Sequence, residues 1–212
     1  MSKEYRVLLD DDYVCVVDKP PKMLVVPSPE KKTCLTSILS KDMGQPVYPC
    51  HRLDYETSGI VLFAKSKDGQ HKIMEQFKNR KVFKRYIAIV HGPVKRTFDM
   101  KEPVKAIGKE EKDALTKFRA EEITKLYSVV NAIPITGRSN QIRIHCVQSG
   151  HPIIGDRKYS VVKDYPIQFS RTCLHAAHIE FYHPFSGEHV DVRCPMAQDM
   201  EQLLVELRKK VI

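Results

Sequence analysis

The segment from His51 to Gly59, written HRLDYETSG, places a carboxylate and two basic side chains within four positions. Asp54 is the residue of this segment that could carry chemistry. The alternative is a surface turn in which Asp54 caps the backbone or pairs with Arg52. The segment ends in glycine and leads into the apolar stretch IVLFAK, so a rigid strand would hold it. These features favour a functional loop, although the local sequence is compatible with both interpretations.

A second polar segment has the same character. Residues 136 to 143, written TGRSNQIR, contain a glycine and two arginines at the start of a predicted helix. Ser139 is the predicted N-cap of this helix, and Gly150 is predicted to end it in the left-handed conformation. Spacing does not show whether this segment meets the segment around Asp54.

The elements around these segments predict an α+β fold. Strand pairs look like hairpins, and helices are predicted near 33–43, with Thr33 as the cap, near 68–80 and from 199 to about 210. Residues 97–113 show little pattern and are interpreted as an excursion. We expect a single domain over residues 1–212, with a central mixed, mainly antiparallel sheet flanked by helices. The absence of G-x-G-x-x-G and P-loop motifs argues against a nucleotide cofactor.

Composition limits the classes of protein that fit. The 212 residues carry 35 basic and 26 acidic side chains, for a formal net charge of +9. This charge is compatible with a nucleic-acid partner, and the basic residues between Lys65 and Arg85 form either a nucleic-acid-binding surface or a solvated helix face. No apolar run approaches the roughly 20 residues that span a bilayer. We therefore expect a cytoplasmic protein without a membrane partner.

The cysteines and histidines do not predict a metal centre. Six cysteines occur without a C-x-x-C pair, which favours reduced, buried thiols. The nearest approach to a ligand set combines Cys50 and His51 with His145 and Cys146. Adjacent residues of a strand point to opposite faces, so such pairs rarely bind one ion. We expect no metal.

Five sequence blocks together resemble one known family. HRLDYETSGIVLFAK resembles the signature around the catalytic aspartate of the RluA-type RNA pseudouridine synthases. The other four blocks are similar to further motifs of the family and occur in the family's order between about residues 10 and 195: VVDKPPKMLVVP, KRYIAIVHG, ITGRSNQIRIHCVQSGHPIIGDRKY and LHAAHIEFYHP. The resemblance implies a pseudouridine synthase-like fold and isomerisation of uridine in RNA, without a cofactor.

The resemblance also implies roles for individual residues. Asp54 matches the catalytic nucleophile, Arg143 the arginine that pairs with it, and Tyr86 the tyrosine that stacks on uracil. Without the resemblance, Tyr86 would be interpreted as a core aromatic of a strand. Arg52 matches the arginine thought to fill the gap that the flipped uridine leaves. The remaining predicted RNA-binding residues are His51, Lys84, Arg85 and Arg138.

Two departures from the family pattern affect the expectations. Asn140 stands where most members have His, which predicts altered positioning rather than lost activity. The first motif lies close to the first residue, so we expect no separate N-terminal RNA-binding module. We expect a monomer that acts on large-subunit ribosomal RNA, transfer RNA or both.

Two other functions remain as alternatives. A non-catalytic RNA-binding factor would keep the scaffold but would not need Asp54, Tyr86 and Arg143 together. A hydrolase with a His/Asp or Cys/His pair lacks the support of a G-x-S-x-G motif or of metal-ligand spacing.

Overall fold

The computed structural model describes residues 4–160 and 165–211, and the chain divides into two compact units. The first unit is Met1–Lys84 with Ala176–Pro195, and the second is Arg85–His175 with Met196–Ile212. The helices are α1 (Leu35–Met43), α2 (Lys67–Lys78), α3 (Gln141–Gln148) and α4 (Gln198–Val211). The prediction of a single catalytic domain over 1–212 stays a prediction.

The first unit is built on strands that pair in antiparallel fashion. Its strands are β1 (Arg6–Asp10), β2 (Val14–Lys19), β3 (Tyr48–Pro49), β4 (Ser58–Ala64), most of β9 (Leu174–Tyr182) and β10 (His189–Arg193). β2 lies between β1 and β4, β3 also pairs with β4, and β10 pairs with β9. Every residue of β4 is buried, which explains why this strand reads as a continuous apolar run.

The second unit contains its own antiparallel strands. They are most of β5 (Phe83–His91), with β6 (Thr97–Met100), β7 (Thr116–Ile123) and β8 (Tyr127–Pro134), in the order β5-β8-β7-β6. A buried cluster joins the apolar residues of these strands to α3 and to the apolar face of α4. In β7 buried and exposed residues alternate over most of the strand, as expected for a strand with one face on a core.

The predicted α+β fold with a mainly antiparallel sheet and flanking helices is confirmed, with corrections in detail. Helix α1 begins at Leu35 with Cys34 as its N-cap, so the cap predicted at Thr33 is wrong. Ser66 caps α2 by accepting a hydrogen bond from the Gly69 N–H. The excursion at 97–113 contains strand β6 and a β-bridge between Val104 and Lys112. None of the helices in the described part of the chain has the length and apolar character that crossing a bilayer requires.

Gly59, at the end of the HRLDYETSG segment, is required by a close approach between two strands. Its φ is +105°, and an added Cβ would lie 2.3 Å from the carbonyl oxygen of Ala176 on β9. Residues that carry a side chain rarely adopt such a φ. The atoms that the added Cβ would meet belong to the Ala176 backbone, which cannot move aside as the end of a flexible side chain can. The absence of a side chain at Gly59 therefore allows the segment to lie against β9.

We expect Gly59→Ala to lower the free energy of unfolding by more than about 3 kcal/mol, because strain and overpacking add. Gly187 provides a matched control, since its φ is +73° but nothing lies within 4 Å of an added Cβ. Gly187→Ala should therefore cost only about 1–2 kcal/mol. Urea denaturation measures both values, and equal losses would contradict the role of the close approach.

Candidate functional site

The loop that carries Asp54 is shaped by a turn between buried residues. The Thr57 N–H donates to the Asp54 carbonyl oxygen at 3.1 Å, so Asp54 opens a β-turn, a position that aspartate favours. Leu53 and Thr57 are buried on either side, whereas Asp54 itself is half-buried. The loop thus holds the Asp54 backbone firmly at the entrance to strand β4.

Arg52 is exposed, two residues before Asp54. An exposed guanidinium next to the loop is compatible with the predicted place of Arg52 in the gap that a flipped uridine leaves. The predicted role of Arg52 stays a prediction.

His51 anchors the same loop to strand β4. The Leu62 N–H donates to His51 Nε2 at 3.0 Å, and the Cys50 N–H donates to the Leu62 carbonyl oxygen at 3.0 Å. Burial of the imidazole, helped by the positive charge of Lys84, lowers the pKa of His51 to about 3. His51 is therefore neutral at neutral pH and acts as a hydrogen-bond acceptor within the protein. Its predicted contact with RNA stays a prediction.

The lowered pKa of His51 makes stability depend on pH. The unfolded chain takes up a proton near pH 6.5 but the folded chain only near pH 3, so acid favours the unfolded state between these values. We expect the wild type to lose unfolding free energy as the pH falls from 6.5 toward 3, and His51→Gln to lose less. Urea midpoints measured across this range test the prediction. Parallel pH profiles for the two proteins would contradict it.

The basic residues between Lys65 and Arg85 are partly neutralised within the protein. Lys65 pairs with Asp10 at 3.0 Å, and Lys72 pairs with Asp68 at 3.0 Å. Burial lowers the pKa of Lys84, whose Nζ lies 5.5 Å from the centre of the Phe77 ring. Exposed members of the run are Lys67, Lys78, Arg80 and Lys81. These exposed cations leave a basic surface that suits a polyanion.

Tyr86 and Arg85 lie on strand β5 in the second unit. Tyr86 is half-buried, pairs with Ala132 of β8 and packs against the hydrophobic core of this unit. Arg85 Nη1 donates to Asn131 Oδ1 at 2.8 Å. The structure therefore agrees with a strand aromatic at the core boundary, and the predicted stacking of Tyr86 on uracil stays a prediction.

Arg143, on helix α3, forms a buried bidentate ion pair with Asp156. Its Nε and Nη2 atoms donate to Asp156 Oδ2 and Oδ1, each at 2.7 Å. Both side chains are almost fully buried. The guanidinium fork is therefore fixed in the plane of the Asp156 carboxylate. The predicted pairing of Arg143 with Asp54 joins residues of different units and stays a prediction.

Asp156 is held ionised by several donors. Burial raises the pKa of its carboxyl group, but the hydrogen bonds and charge of Arg143 outweigh this effect and the pKa is lowered. The Lys158 and Tyr159 N–H groups add hydrogen bonds of 3.0 and 3.2 Å to Oδ1. No role was predicted for Asp156 from the sequence, although the residue lies in GDRKY, part of a block that resembles a motif of the family.

The aromatic ring of Tyr159 connects Arg143 with Asn140. The Arg143 Cζ atom lies 5.1 Å from the centre of the Tyr159 ring, and the Tyr159 hydroxyl donates to Asn140 Oδ1 at 2.8 Å. Asn140 is the N-cap of α3 at φ 55°, so the N-cap predicted at Ser139 is wrong. Asn tolerates this left-handed conformation better than most residues. Asn140 thus helps to place the ring that covers Arg143.

Gln141 stabilises the start of α3. Its Nε2 donates to the Leu115 carbonyl oxygen and to Thr116 Oγ1, each at 2.9 Å. Its Oε1 accepts from Thr136 Oγ1 at 2.7 Å and from the Arg138 N–H at 3.0 Å. The buried amide therefore fixes the backbone that presents Arg138 to solvent.

A basic cleft lies beside Arg138 in the second unit. It has a volume of about 370 Å³ and is lined by Val104, Ala106, Lys109, Glu110, Lys112, Gly137, Arg138 and Ser139. Arg138 Nε donates to the Asp113 carbonyl oxygen at 3.0 Å, and Lys109 Nζ donates to Ser139 Oγ at 2.9 Å. Three cations against one carboxylate make the cleft suited to a phosphate group.

The two histidines considered as metal ligands have hydrogen-bond partners within the protein, and the two cysteines are buried thiols. His145 has hydrogen bonds at both ring nitrogens, to Thr116 Oγ1 at 2.8 Å and to the Glu102 carbonyl oxygen at 2.9 Å. Burial raises the pKa values of the Cys50 and Cys146 thiols, which disfavours the thiolate that binds metal. The expectation that this set holds no metal stays a prediction.

Comparisons with known proteins show to which family this chain belongs. Residues 13–148 match the model of the RNA pseudouridylate synthase family. The chain is 30% identical over 230 residues to ribosomal large subunit pseudouridine synthase D of Xanthomonas campestris. This alignment covers 96% of this chain and 70% of the relative. It is also 30% identical to tRNA pseudouridine synthase C of Haemophilus influenzae, in an alignment that covers 94% of this chain and 96% of the relative.

A solved structure agrees with the sequence relatives. Human RNA pseudouridylate synthase domain containing 4 matches with a TM-score of 0.80 at 26% identity, over 96% of this chain and 93% of that one. The fold and these sequence matches together define an RNA-modifying isomerase. The chain belongs to the RNA pseudouridylate synthase family.

Proposed function

We propose that this protein isomerises specific uridines of structured ribosomal or transfer RNA to pseudouridine, with Asp54 as the nucleophile. The observation that carries the proposal is the loop HRLDYETSG itself. A turn and buried neighbours hold Asp54 at the entrance to a rigid strand. The chain that carries this loop belongs to the RNA pseudouridylate synthase family. The carboxylate would attack the sugar or the uracil ring, and the bond between the uracil nitrogen and the sugar would break. The base would then rotate and bond to the sugar through carbon 5, as the carboxylate is released and the proton of carbon 5 is lost.

The other site residues have roles that suit their chemistry. Tyr86 would stack on the uracil, and Arg143, fixed by Asp156, would orient and keep ionised the Asp54 carboxylate. Extruding a uridine from folded RNA costs a few kcal/mol, and Arg52 would fill the space it leaves. The remaining RNA-binding residues in the proposal are His51, Lys84, Arg85 and Arg138.

The two proposed classes of substrate, ribosomal and transfer RNA, are taken from the names of the relatives. One relative carries the name of a large-subunit ribosomal enzyme and another that of a transfer RNA enzyme. The test is tritium release from ribosomal and transfer RNA transcripts labelled at carbon 5 of uracil, without added metal or nucleotide. Release identifies the RNA class to map. Binding without release from either RNA, by folded protein, would favour the non-catalytic RNA-binding factor.

The basic cleft predicts a sequence-independent contribution to RNA affinity. We expect Lys109→Gln with Lys112→Gln to weaken RNA binding and to reduce the slope of log K against log salt by roughly 1 for each phosphate that the lysines no longer bind. The control replaces Lys95 and Lys125, which are exposed in the same unit but do not line the cleft. Filter binding at several salt concentrations measures both pairs. Equal slopes would contradict phosphate binding in the cleft.

A further inference from the structure

Two histidines and two carboxylates share one face of the β9–β10 hairpin in the first unit. Glu180 lies opposite Asp191, and His189 lies opposite Tyr182, in a regular antiparallel register. Because side chains alternate between faces along a strand, His178 lies on the same face as Glu180. His178, Glu180 and Asp191 form one cluster on this face, and His189 lies beside Glu180 at its edge.

The distances within this cluster match those around a small metal ion. His178 Nε2 lies 2.9 Å from Asp191 Oδ1 and 3.3 Å from Glu180 Oε1. His189 Nε2 lies 3.2 Å from Glu180 Oε2. Ligand atoms of His178, Glu180 and Asp191 all lie within 4.8 Å of one another. In a tetrahedral zinc site with bonds of about 2.0–2.1 Å, neighbouring ligand atoms are about 3.3 Å apart.

The cluster is held in place before any ion binds. His178 is buried, and its ring meets the Phe83 ring edge-on with centroids 5.3 Å apart. Glu180 and Asp191 are fixed opposite each other by the strand register. Two like charges in that position repel, so a cation between them is favoured. Ligands on paired strands need little rearrangement to close around an ion.

The competing explanation of the cluster is a network without metal, in which Asp191 forms a hydrogen bond with His178 and an ion pair with Arg193. The Arg193 Nε and Nη2 atoms donate to Asp191 Oδ1 and Oδ2, both at 3.1 Å. The Arg193 side chain is 71% exposed, and exposed ion pairs contribute little stability. A divalent ion with a histidine ligand can therefore displace Arg193 from Asp191 at small cost.

We propose that His178, Glu180 and Asp191 together bind a divalent transition-metal ion of the zinc type. Imidazole and carboxylate are ligands that this class of ion accepts. The ion joins β9 to β10 and stabilises the hairpin. The isomerisation does not use it, so the expectation of metal-free chemistry is unaffected. The sequence pattern missed this cluster because its residues are spread over two strands.

The test is titration of the chelator-treated, reduced full-length protein with Zn²⁺ by calorimetry and with Co²⁺ by visible absorption. We expect one ion per chain, a cobalt spectrum of a site with nitrogen and oxygen ligands, and a rise in melting temperature with Zn²⁺. His178→Gln and Asp191→Asn should each weaken the affinity by more than about tenfold. Arg193→Gln should leave the affinity unchanged or raise it, because a competing cation is removed.

His71 and Glu75 provide the matched control. They form an exposed His–carboxylate pair at 3.7 Å in the same unit, but they are not part of the cluster. His71→Gln should therefore leave Zn²⁺ affinity unchanged. The proposal is overturned if Zn²⁺ does not bind, if sulfur-to-cobalt charge transfer shows thiolate ligands, or if His71→Gln weakens binding as much as His178→Gln.

Discussion

Asp54→Asn should abolish pseudouridine formation, lowering tritium release from a substrate RNA by at least about 1,000-fold. Asparagine has nearly the shape of aspartate but no anionic oxygen, so it cannot act as the nucleophile. The Asp54 carbonyl oxygen, which accepts from the Thr57 N–H, is unchanged by the substitution. We therefore expect the loop to fold and RNA binding to remain within a few-fold of the wild type.

The control for this substitution is Asp68→Asn, which removes a carboxylate from the exposed surface of α2. Asp68 pairs with Lys72 one helical turn away, and both side chains are exposed. We expect this variant to keep wild-type turnover. Comparable tritium release by Asp54→Asn and Asp68→Asn would refute Asp54 as the nucleophile. Loss of release together with loss of RNA binding and of native stability would show that Asp54 supports the fold instead.

Asp156→Asn should lower the free energy of unfolding by about 3–5 kcal/mol. The substitution leaves the Arg143 guanidinium buried without the carboxylate that receives two of its hydrogen bonds. Urea denaturation measures the loss. Asp68→Asn again provides the comparison, because breaking an exposed pair one helical turn apart costs only about 0.3–0.5 kcal/mol.

The lowered pKa of Asp156 gives this prediction a pH dependence. The stabilisation is complete above the pKa that the carboxyl has in the unfolded chain and disappears as the pH falls through its lower folded value. The difference between wild type and Asp156→Asn should therefore shrink in acid. A constant difference down to strongly acidic pH would contradict the ion pair as its source.

A double variant separates stability from activity. Arg143→Met with Asp156→Leu replaces a buried ion pair with apolar side chains, which is often neutral or stabilising. We expect this variant to recover most of the stability lost in Asp156→Asn but to remain inactive, because Arg143 is proposed to orient Asp54. Recovered activity together with recovered stability would show that Arg143 is needed only for folding.

Much of the fold could be predicted from local patterns in the sequence. The apolar run of β4, the alternation in β7 and the amphipathic helix α4 each follow from the environment that the element meets. The helix ends were less predictable. The N-cap of α1 is Cys34, although Thr33 has the more usual capping side chain, and the N-cap of α3 is Asn140 rather than Ser139, two residue types that are about equally favoured. Tertiary hydrogen bonds selected these ends, such as the one from Tyr159 to Asn140.

The sequence by itself determined the family and the candidate residues, because catalytic side chains lie in short motifs whose order is visible without a structure. Only the tertiary structure decided which groups each residue contacts. Arg143 meets Asp156, thirteen positions away. His51 is neutral because the fold buries its ring near Lys84, and it anchors the loop by accepting a hydrogen bond from strand β4. Hydrogen bonds and burial depend on groups that the fold brings together from separate segments. Spacing along the chain does not contain that information.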